Sequence, residues 1–312
     1  MSEELAQIRM RSGRERSGTV SPVAAVVTIG VFDGVHRGHR CVIEHTVERA
    51  RAAGLEAAVV TFDPNPLEIL RPRQAPARLC SVARRIELIE DLGVDRVLVL
   101  PFTADLSHET AEEFIDTTLR RSLDARTIVV GHGFRFGHKA AGTTETLRAA
   151  GLEVVEYNLV GDGQPVSSTR IRAAVADGDV AAAAEMLARP HEVEGVVVRG
   201  AQRGRGLGYP TANVEHHPLA AVPADGVYAG TTVVDGAVYP SAISVGTNPT
   251  FEGQRRTVES YLLDVDMDLY GAEVRVGFIQ RLRGMVAFEG VDALVAQMDR
   301  DVAYARRLAN RP

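Results

Sequence analysis

The chain is poor in cysteine, carries no excess of basic residues and lacks a long apolar run. Cys41 and Cys80 are the only cysteines among its 312 residues. Two cysteines are too few for a disulfide framework or a zinc site, and they fit a reducing cytoplasm. The formal net charge of −6 excludes an overall basic field that would attract nucleic acid or anionic membranes. No run of about 18 apolar residues is present to span or anchor in a membrane. We therefore expect a cytoplasmic protein that binds neither nucleic acid nor membranes.

Two familiar sequence signals are also missing. No Gly-x-x-x-x-Gly-Lys-Ser/Thr run occurs, which disfavours the P-loop classes of phosphate chemistry. The first twenty residues are polar and contain four arginines but no apolar core, unlike a signal peptide. They predict a disordered leader over residues 1–20, with a weak contact to an anion as the alternative.

A pair of histidines follows the first apolar run, in the segment GVFDGVHRGH at residues 30–39. Residues 23–29 predict a buried strand, and the apolar residues after the pair lie on one face of a helix. His36 and His39 then lie at the start of that helix, where unpaired backbone N–H groups favour an anion. Gly38 has no Cβ to keep a phosphate away from the backbone. The spacing favours a nucleotide-phosphate site over two structural histidines, while Asp33 fits either a turn residue or a carboxylate beside a magnesium ion.

The two halves of the chain show different patterns. The first half alternates short apolar strands with amphipathic helices, which predicts a parallel sheet covered on both faces. Its expected strands are residues 23–29, 57–62, 96–100, 127–130 and 153–155. In such sheets ligands bind beyond the carboxyl ends of the strands.

After an alanine-rich helix and Arg189, the strands follow one another without intervening helices. They are separated by Gly, Pro, Asn and Asp, as in a small antiparallel barrel. The expected strands are residues 193–198, 227–234, 238–244, 258–263 and 273–278, with a final amphipathic helix at about 291–308.

Three further segments carry oxygen-bearing or glycine residues in informative spacing. The run SSTRIR at residues 167–172 opens a helix with three hydroxyls and a guanidinium, which suits triphosphate oxygens, with ordinary helix capping as the alternative. The segment RGRGLGYPTAN at residues 203–213 allows close approach of phosphate and supplies hard oxygen ligands. A flexible loop that contacts RNA is its alternative reading.

Glu259 lies within an apolar strand, where an inward-facing carboxylate needs a task or a partner. An ordinary exposed strand glutamate is the alternative.

Four segments, in this order, resemble the bacterial bifunctional riboflavin kinase/FMN adenylyltransferase (FAD synthetase) family. They are residues 30–39, TFDP at 61–64, FRFG at 134–137 and SSTRIR at 167–172. The resemblance covers nearly the whole chain after residue 20. It implies that residues 21–187 form a Rossmann-like nucleotidyltransferase domain that transfers AMP from ATP to FMN and releases pyrophosphate. It implies that residues 188–312 form a riboflavin kinase β-barrel with a C-terminal helix.

The resemblance also implies roles for individual residues of the first half. His36 and His39 would act in catalysis. ATP would contact Gly30, Phe32, Asp33, His36, Gly38, His39, Ser167, Ser168, Thr169 and Arg172. The flavin would contact Asn65, Phe134, Arg135 and Phe136.

In the second half the resemblance makes Glu259 the general base toward the terminal ribityl hydroxyl and places Arg283 against the flavin. Thr211 and Asn213 would bind Mg²⁺. ATP would contact Gly204, Gly206, Gly208, Thr211 and Asn213. The implied substrates, products and cofactors are ATP, Mg²⁺, riboflavin, FMN and FAD, and the oligomeric state is left open.

The sequence departs from the family pattern at Asn65, where the family often has His, at Gly133, where it often has Asn or Asp, and at Gly284, where it often has Glu. Loss of one flavin hydrogen bond costs about 1–3 kcal/mol. A riboflavin kinase with a weakened or regulatory N-terminal module is therefore the first alternative. A non-catalytic flavin-binding protein is the second. The third is a relative of the cytidylyltransferases or pantetheine-phosphate adenylyltransferases, which share the paired histidines.

Overall fold

The computed structural model describes residues 7–10, 23–157, 165–200, 204–250 and 253–309. Contacts divide the chain into two compact units. The first comprises Met1–Pro76 and Val82–Val166, and the second comprises Ala77–Ser81 and Ser167–Pro312. Residues 167–187 thus group with the second unit, whereas the sequence predicted a boundary after residue 187. The physical reason lies in Val180, which is buried within the apolar core of that unit.

The first unit is built on a six-stranded sheet in the order β1-β4-β3-β2-β5-β6. Its strands are β1 (Gln7–Met10), β2 (Ala25–Ile29), β3 (Glu56–Asp63), β4 (Arg96–Pro101), β5 (Ala125–Gly131) and β6 (Glu153–Tyr157). β2 to β6 pair in parallel, so the predicted parallel sheet is confirmed. β1 pairs antiparallel with β4. The prediction of a disordered leader over residues 1–20 is therefore wrong for Gln7–Met10, because β1 satisfies the open edge of β4; the rest of the leader lies outside the described residues.

Helices cover both faces of this sheet. Alternate residues of β2 belong to different apolar clusters: Val27 packs with Leu98 and Ile128 on one face, and Val26 packs with Val42 on the other. The helices are α1 (Arg37–Ala53), α2 (Pro66–Leu70), α3 (Val82–Glu90), α4 (Ala104–His108), α5 (Ala111–Phe114) and α6 (Thr144–Ala149). A π-helical segment, Ile115–Ser122, continues α5, and two 3₁₀ turns occupy Pro72–Gln74 and His138–Ala140.

The second unit is a closed antiparallel barrel with the strand order β10-β11-β8-β7-β12-β9. Two helices precede it, α7 (Ser168–Asp177) and α8 (Val180–Leu187), and α9 (Val291–Ala309) follows it. The strands are β7 (His191–Val198), β8 (Ala212–His216), β9 (Gly226–Val234), β10 (Ala237–Thr250), β11 (Gly253–Leu262) and β12 (Glu273–Arg283). The predicted fold class, an α/β domain followed by a small barrel and a helix, is confirmed. β8 was missed, because its five residues follow a glycine-rich segment and only two of them, Ala212 and Val214, are apolar.

Candidate functional sites

The paired histidines form the start of α1. His36 is the N-cap residue, and its Nδ1 accepts the backbone N–H of His39 at 3.3 Å. The two rings stack with centroids 3.6 Å apart and planes 16° from parallel. The edge of Phe32 meets His39 at 5.2 Å. His36 is only 4% exposed, so its ring both caps the helix and is held rigidly at the helix N-terminus, where anions are favoured.

The turn before α1 has a strained backbone. Phe32 and Val35 have φ values of 50° and 38°, in the left-handed region that non-glycine residues seldom adopt. The Val35 N–H donates to the Phe32 carbonyl at 3.0 Å. Gly30 is needed because a Cβ there would lie 2.9 Å from the Phe32 ring. Asp33 and Gly38 are buried in the same segment, and such strain is typical of functional sites.

The carboxyl ends of β2 and β3 border a cavity of about 900 Å³. We call it the aromatic cavity, because five phenylalanines line it: Phe62, Phe102, Phe114, Phe134 and Phe136. Phe62 meets Phe102 edge to face at 5.8 Å, and Phe134 stacks on Phe136 at 5.6 Å. Arg135 and Gly30 also line the wall, so four residues that the resemblance named come together here. Apolar walls with flat rings suit a planar aromatic ligand.

Several residues of the aromatic cavity were missed by sequence reasoning. Phe102, Phe114 and the α4 residue Leu106 all come from the stretch 102–114, which lies outside the motifs, and no local pattern marks them. Phe62 carried a signal, since it lies within the TFDP motif.

Asn65 caps a helix. Its side-chain oxygen accepts the Leu67 N–H at 3.0 Å, and the Glu68 carboxylate accepts the Asn65 N–H at 3.4 Å. This reciprocal capping box uses the side chain that the resemblance assigned to the flavin. Gly133 has φ +75°, which explains a glycine at that position.

The hydroxyl-rich segment forms the start of α7 and belongs to the second unit, whereas His36 and His39 belong to the first. Ser167 is the N-cap residue and accepts the Arg170 N–H at 3.3 Å. Ser168 is half-buried and Thr169 is exposed. Arg172 donates from Nε to the Ala77 carbonyl at 2.6 Å. Capping of α7 therefore explains the hydroxyl of Ser167 but not those of Ser168 and Thr169.

Three predicted kinase residues meet on the barrel. Thr211 donates its hydroxyl to Oε2 of Glu259 at 3.1 Å, and Asn213 lies directly opposite Glu259 where β8 pairs with β11. The neighbours of Glu259 along β11, Val258 and Ser260, are fully buried. Because side chains alternate along a strand, Glu259 lies on the face away from the barrel core, where it is half-buried. The sequence raised the possibility that Glu259 faces inward. In the structure it faces outward and accepts a hydrogen bond from the Thr211 hydroxyl.

The side chain of Asn213 lies against Gly200. A Cβ at Gly200 would be 2.3 Å from its Cγ, so any other residue there would require the amide to shift. Sequence reasoning missed Gly200. Thr211 also lines a cavity of about 410 Å³ together with Asp266, Asp268 and Tyr270, which gives the Thr211–Glu259 pair an adjoining space for a ligand.

The glycine-rich segment closes on itself just before Thr211. The Gly204 carbonyl accepts the N–H groups of Leu207 at 3.0 Å and Tyr209 at 2.9 Å. A Cβ at Gly204 would lie 2.3 Å from the Tyr209 carbonyl, and Gly208 has φ +87°. The Tyr209 hydroxyl donates to Asp299 of α9, and this hydrogen bond raises the pKa of Tyr209 to about 12. Gly206 lies in the 3₁₀ turn Arg205–Leu207.

Arg283, the predicted flavin contact, is bound to α9. Its Nε and Nη2 donate to Asp301 at 3.0 and 2.8 Å. Asp301 is buried, and its other oxygen accepts the Gln297 amide at 2.8 Å. The guanidinium also lies 5.6 Å from the centre of the Phe288 ring. The structure thus connects Arg283 to a fixed carboxylate, which sequence reasoning missed.

Two family models match the chain, one on each half. The FAD synthetase model matches residues 19–170, and the riboflavin kinase model matches residues 187–309. A bifunctional riboflavin kinase/FMN adenylyltransferase from Escherichia coli (strain K12) is 38% identical, over 90% of this chain and 91% of the relative. Proteins of the same name are 40% identical in Pseudomonas fluorescens, over 91% and 93% of the two chains, and 34% identical in Bacillus subtilis (strain 168), over 91% and 92%.

The chain belongs to the bifunctional riboflavin kinase/FMN adenylyltransferase family. The resemblance noted from the sequence is thereby confirmed, and so are the two enzyme activities that it implied, riboflavin kinase and FMN adenylyltransferase. Each family model falls on the half for which the corresponding activity was predicted.

A solved structure of similar fold has a different description. A crystal structure described as a macrolide-efflux protein from Streptococcus pneumoniae matches with a TM-score of 0.84 and 34% identity, over 95% of this chain and 96% of that one. Across the described residues of this chain, no helix is both long and apolar enough to cross a membrane.

Proposed function

We propose that the riboflavin kinase half uses the Thr211–Asn213–Glu259 group to make FMN, and that the FMN adenylyltransferase half uses the paired histidines and the aromatic cavity to make FAD. The Thr211–Glu259 hydrogen bond is the observation that carries the first assignment. It brings together two residues 48 positions apart, to both of which the resemblance gives a role in phosphoryl transfer.

In the kinase half Glu259 acts as general base. It takes the proton of the terminal ribityl hydroxyl of riboflavin as that oxygen forms a bond to the γ-phosphorus of ATP. The bond from the γ-phosphorus to the bridging oxygen breaks, and ADP leaves. Such proton transfer contributes about 10²- to 10⁴-fold in rate, and the rest of catalysis is positioning and neutralisation of charge.

The side chains beside Glu259 fit a magnesium ion. Thr211 and Asn213 offer hard oxygen atoms, and Mg²⁺ is usually held by one or two protein groups together with substrate phosphates. Within the described residues there is no cluster of three His, Cys, Asp or Glu side chains suited to a metal, which agrees with an ion that arrives with ATP. Mg²⁺ supplies charge neutralisation on the phosphates when bound. Gly206 and Gly208, where a Cβ would meet nothing within 4 Å, leave backbone open to the same phosphates. Gly204 supports them, because its carbonyl closes the segment.

Arg283 steadies the flavin end of the kinase site through Asp301. Two nitrogens of Arg283 donate to the Asp301 carboxylate of α9. Arg283 directly precedes the segment from Gly284 to Gly290, so these hydrogen bonds hold the start of that segment against α9.

In the adenylyltransferase half a phosphate oxygen of FMN attacks the α-phosphorus of ATP, and pyrophosphate leaves. No protein nucleophile is needed. His36 and His39 neutralise charge on the transferred group, and the strained turn from Gly30 to Asp33 presents the backbone to it. Ser167, Ser168, Thr169 and Arg172 are the proposed further phosphate ligands. The isoalloxazine ring lies among Phe62, Phe134 and Phe136, with Arg135 at the wall.

A kinase with weakened adenylylation is the second candidate. The use of Asn65 for capping favours it, because the cap holds the amide oxygen in the helix and leaves only the amide N–H groups to contact FMN. Purified chain incubated with riboflavin, ATP and Mg²⁺ distinguishes the two, with the flavins separated by chromatography over time. We expect FMN first and FAD afterwards; FMN that accumulates without FAD contradicts the bifunctional assignment.

The cellular setting that we propose is the cytoplasm, with riboflavin, FMN and ATP as partners. It is supported by two free cysteines, Cys41 and Cys80, which suit a reducing compartment.

A further inference from the structure

Arg85 of α3 is buried without a carboxylate partner. The residue is 2% exposed, and its Nη1 donates to the Thr61 hydroxyl at 3.2 Å and to the Phe62 carbonyl at 2.9 Å. Its Nε is buried with no hydrogen-bond partner among the described residues. No carboxylate of the described part of the chain forms an ion pair with it. Both acceptors that it uses are neutral.

A second buried arginine of the same unit shows the contrast. Arg96, 5% exposed, lies at the amino end of β4, and its Nε is 2.6 Å from the Glu56 carboxylate. Burial lowers the pKa of Arg96, and Glu56 opposes that effect. An unpaired buried cation is costly. The fold therefore neutralises the arginine at one end of the sheet and leaves Arg85 uncompensated at the carboxyl end of β3, where anionic ligands of such sheets bind.

The hydrogen bonds of Arg85 reach the walls of the aromatic cavity. The Thr61 hydroxyl has a single proton, which it donates to the Val31 carbonyl at 3.0 Å, so it accepts from Arg85. Val31 and Phe62 both line the aromatic cavity. The Arg85 guanidinium thus holds the end of β3 directly, through the Phe62 carbonyl. It holds the turn that leads to His36 indirectly, through the Thr61 hydroxyl.

We infer that Arg85 is a positioning residue for adenylyl transfer, whose uncompensated positive charge is balanced by the phosphate groups of the reactants and whose hydrogen bonds hold Val31 and Phe62 in place. The inference rests on the proposed FMN adenylyltransferase site and assigns it a residue outside the family motifs considered above. Arg85 does not line the cavity and acts through Thr61 and the backbone.

The test compares Arg85→Met, which removes the charge, with Arg85→Lys, which keeps it. Steady-state adenylylation of FMN is measured in the full chain, with kcat and KM determined separately for FMN and ATP. Riboflavin phosphorylation by the same preparation reports whether the second unit is folded, and the melting temperature reports on the first. We expect Arg85→Met to lower kcat/KM for adenylylation about 10- to 100-fold, the usual effect of losing a charge-assisted hydrogen bond. Arg85→Lys should recover most of the loss, and kinase activity should be unchanged.

Arg96→Met is the matched control, because it also removes a buried arginine from the same unit. A general loss of stability would lower adenylylation in both variants in proportion to their melting temperatures. Thr61→Val, which removes only the hydroxyl link, provides a milder variant should Arg85→Met fold poorly; it should raise KM for FMN while the kinase remains intact.

Calorimetric titration with FMN separates failure of this inference from failure of the proposed function. Wild-type chain that forms no FAD overturns the proposed function, and Arg85 is then judged by whether Arg85→Met weakens FMN binding at one site. The role of Arg85 is overturned if Arg85→Met has the same kcat, KM and FMN affinity as the wild type. It is also overturned if Arg85→Met loses riboflavin phosphorylation and adenylylation to the same extent.

Discussion

Thr211, the residue just before β8, and Glu259 of β11 are joined by a 3.1 Å hydrogen bond. In that bond the hydroxyl donates and the carboxylate accepts. An ionised carboxylate that already accepts one hydrogen bond keeps further lone pairs for a substrate proton, which is the state a general base requires.

Glu259→Gln tests this role with almost no change in shape. The amide cannot accept the ribityl proton, so FMN formation should fall about 10²- to 10⁴-fold. Adenylylation of supplied FMN should continue at the wild-type rate. The exposed strand residue Glu273 provides the control, since Glu273→Gln should leave both rates unchanged. Kinase activity within a few-fold of wild type in Glu259→Gln would contradict the assignment.

Asn213→Ala tests the magnesium ligand. Removal of the amide oxygen should increase the Mg²⁺ concentration that gives half-maximal kinase rate, because one hard ligand is lost. Titration of both activities against Mg²⁺ provides the measurement. An unchanged magnesium requirement for the kinase would exclude Asn213 as a ligand, and the adenylylation curve of the same variant serves as reference.

His36→Asn separates capping from phosphate binding. Asparagine is among the best N-cap residues, so the melting temperature should be preserved, while the imidazole is lost. We expect adenylylation to fall about 10²-fold or more, as when a preorganised group for the transition-state charge is removed. His45→Asn in the same helix is the control. An active His36→Asn enzyme would reduce His36 to a helix cap.

Phe134→Ala tests the aromatic cavity. Loss of one ring face should raise KM for FMN about 2- to 10-fold, the range for an aromatic pair, with little change in kcat. The KM for riboflavin in the kinase reaction is the internal reference. An effect on both flavins, or on neither, would place the isoalloxazine elsewhere.

Tyr209 makes stability depend on alkaline pH. Its pKa is raised to about 12 by the hydrogen bond to Asp299, so above pH 10 the unfolded chain loses this proton before the folded one does. The associated stability is present below the ordinary tyrosine pKa and is lost as the pH rises toward about 12. Urea unfolding of wild type and Tyr209→Phe at several alkaline pH values should show a steeper decline for wild type. Parallel curves would contradict it.

The sequence predicted the parts of the site that are local. Strand and helix patterns around residues 23–50 placed His36 at the start of α1, and the structure agrees because capping depends on neighbouring residues. The resemblance named Phe134 and Phe136, whereas Phe102 and Phe114 could not be predicted, since only the tertiary fold brings them to the same cavity. The outward face of Glu259 was likewise open, because alternation along β11 does not by itself show which side is the core.

Asn65 illustrates a position with two possible roles. The family pattern suggested a flavin contact at this position, yet the local sequence Asn-Pro-Leu-Glu is also a capping box. Sequence position alone does not decide between a ligand and a cap; the hydrogen bond to Leu67 shows the cap.

Val180 restricts where the polypeptide can be cut. Its side chain belongs to the same buried cluster as Tyr228 and Phe278, so a fragment beginning at residue 188 would leave a hole in its interior and would tend to aggregate. Anyone producing the kinase by itself should begin the fragment at or before Ser167.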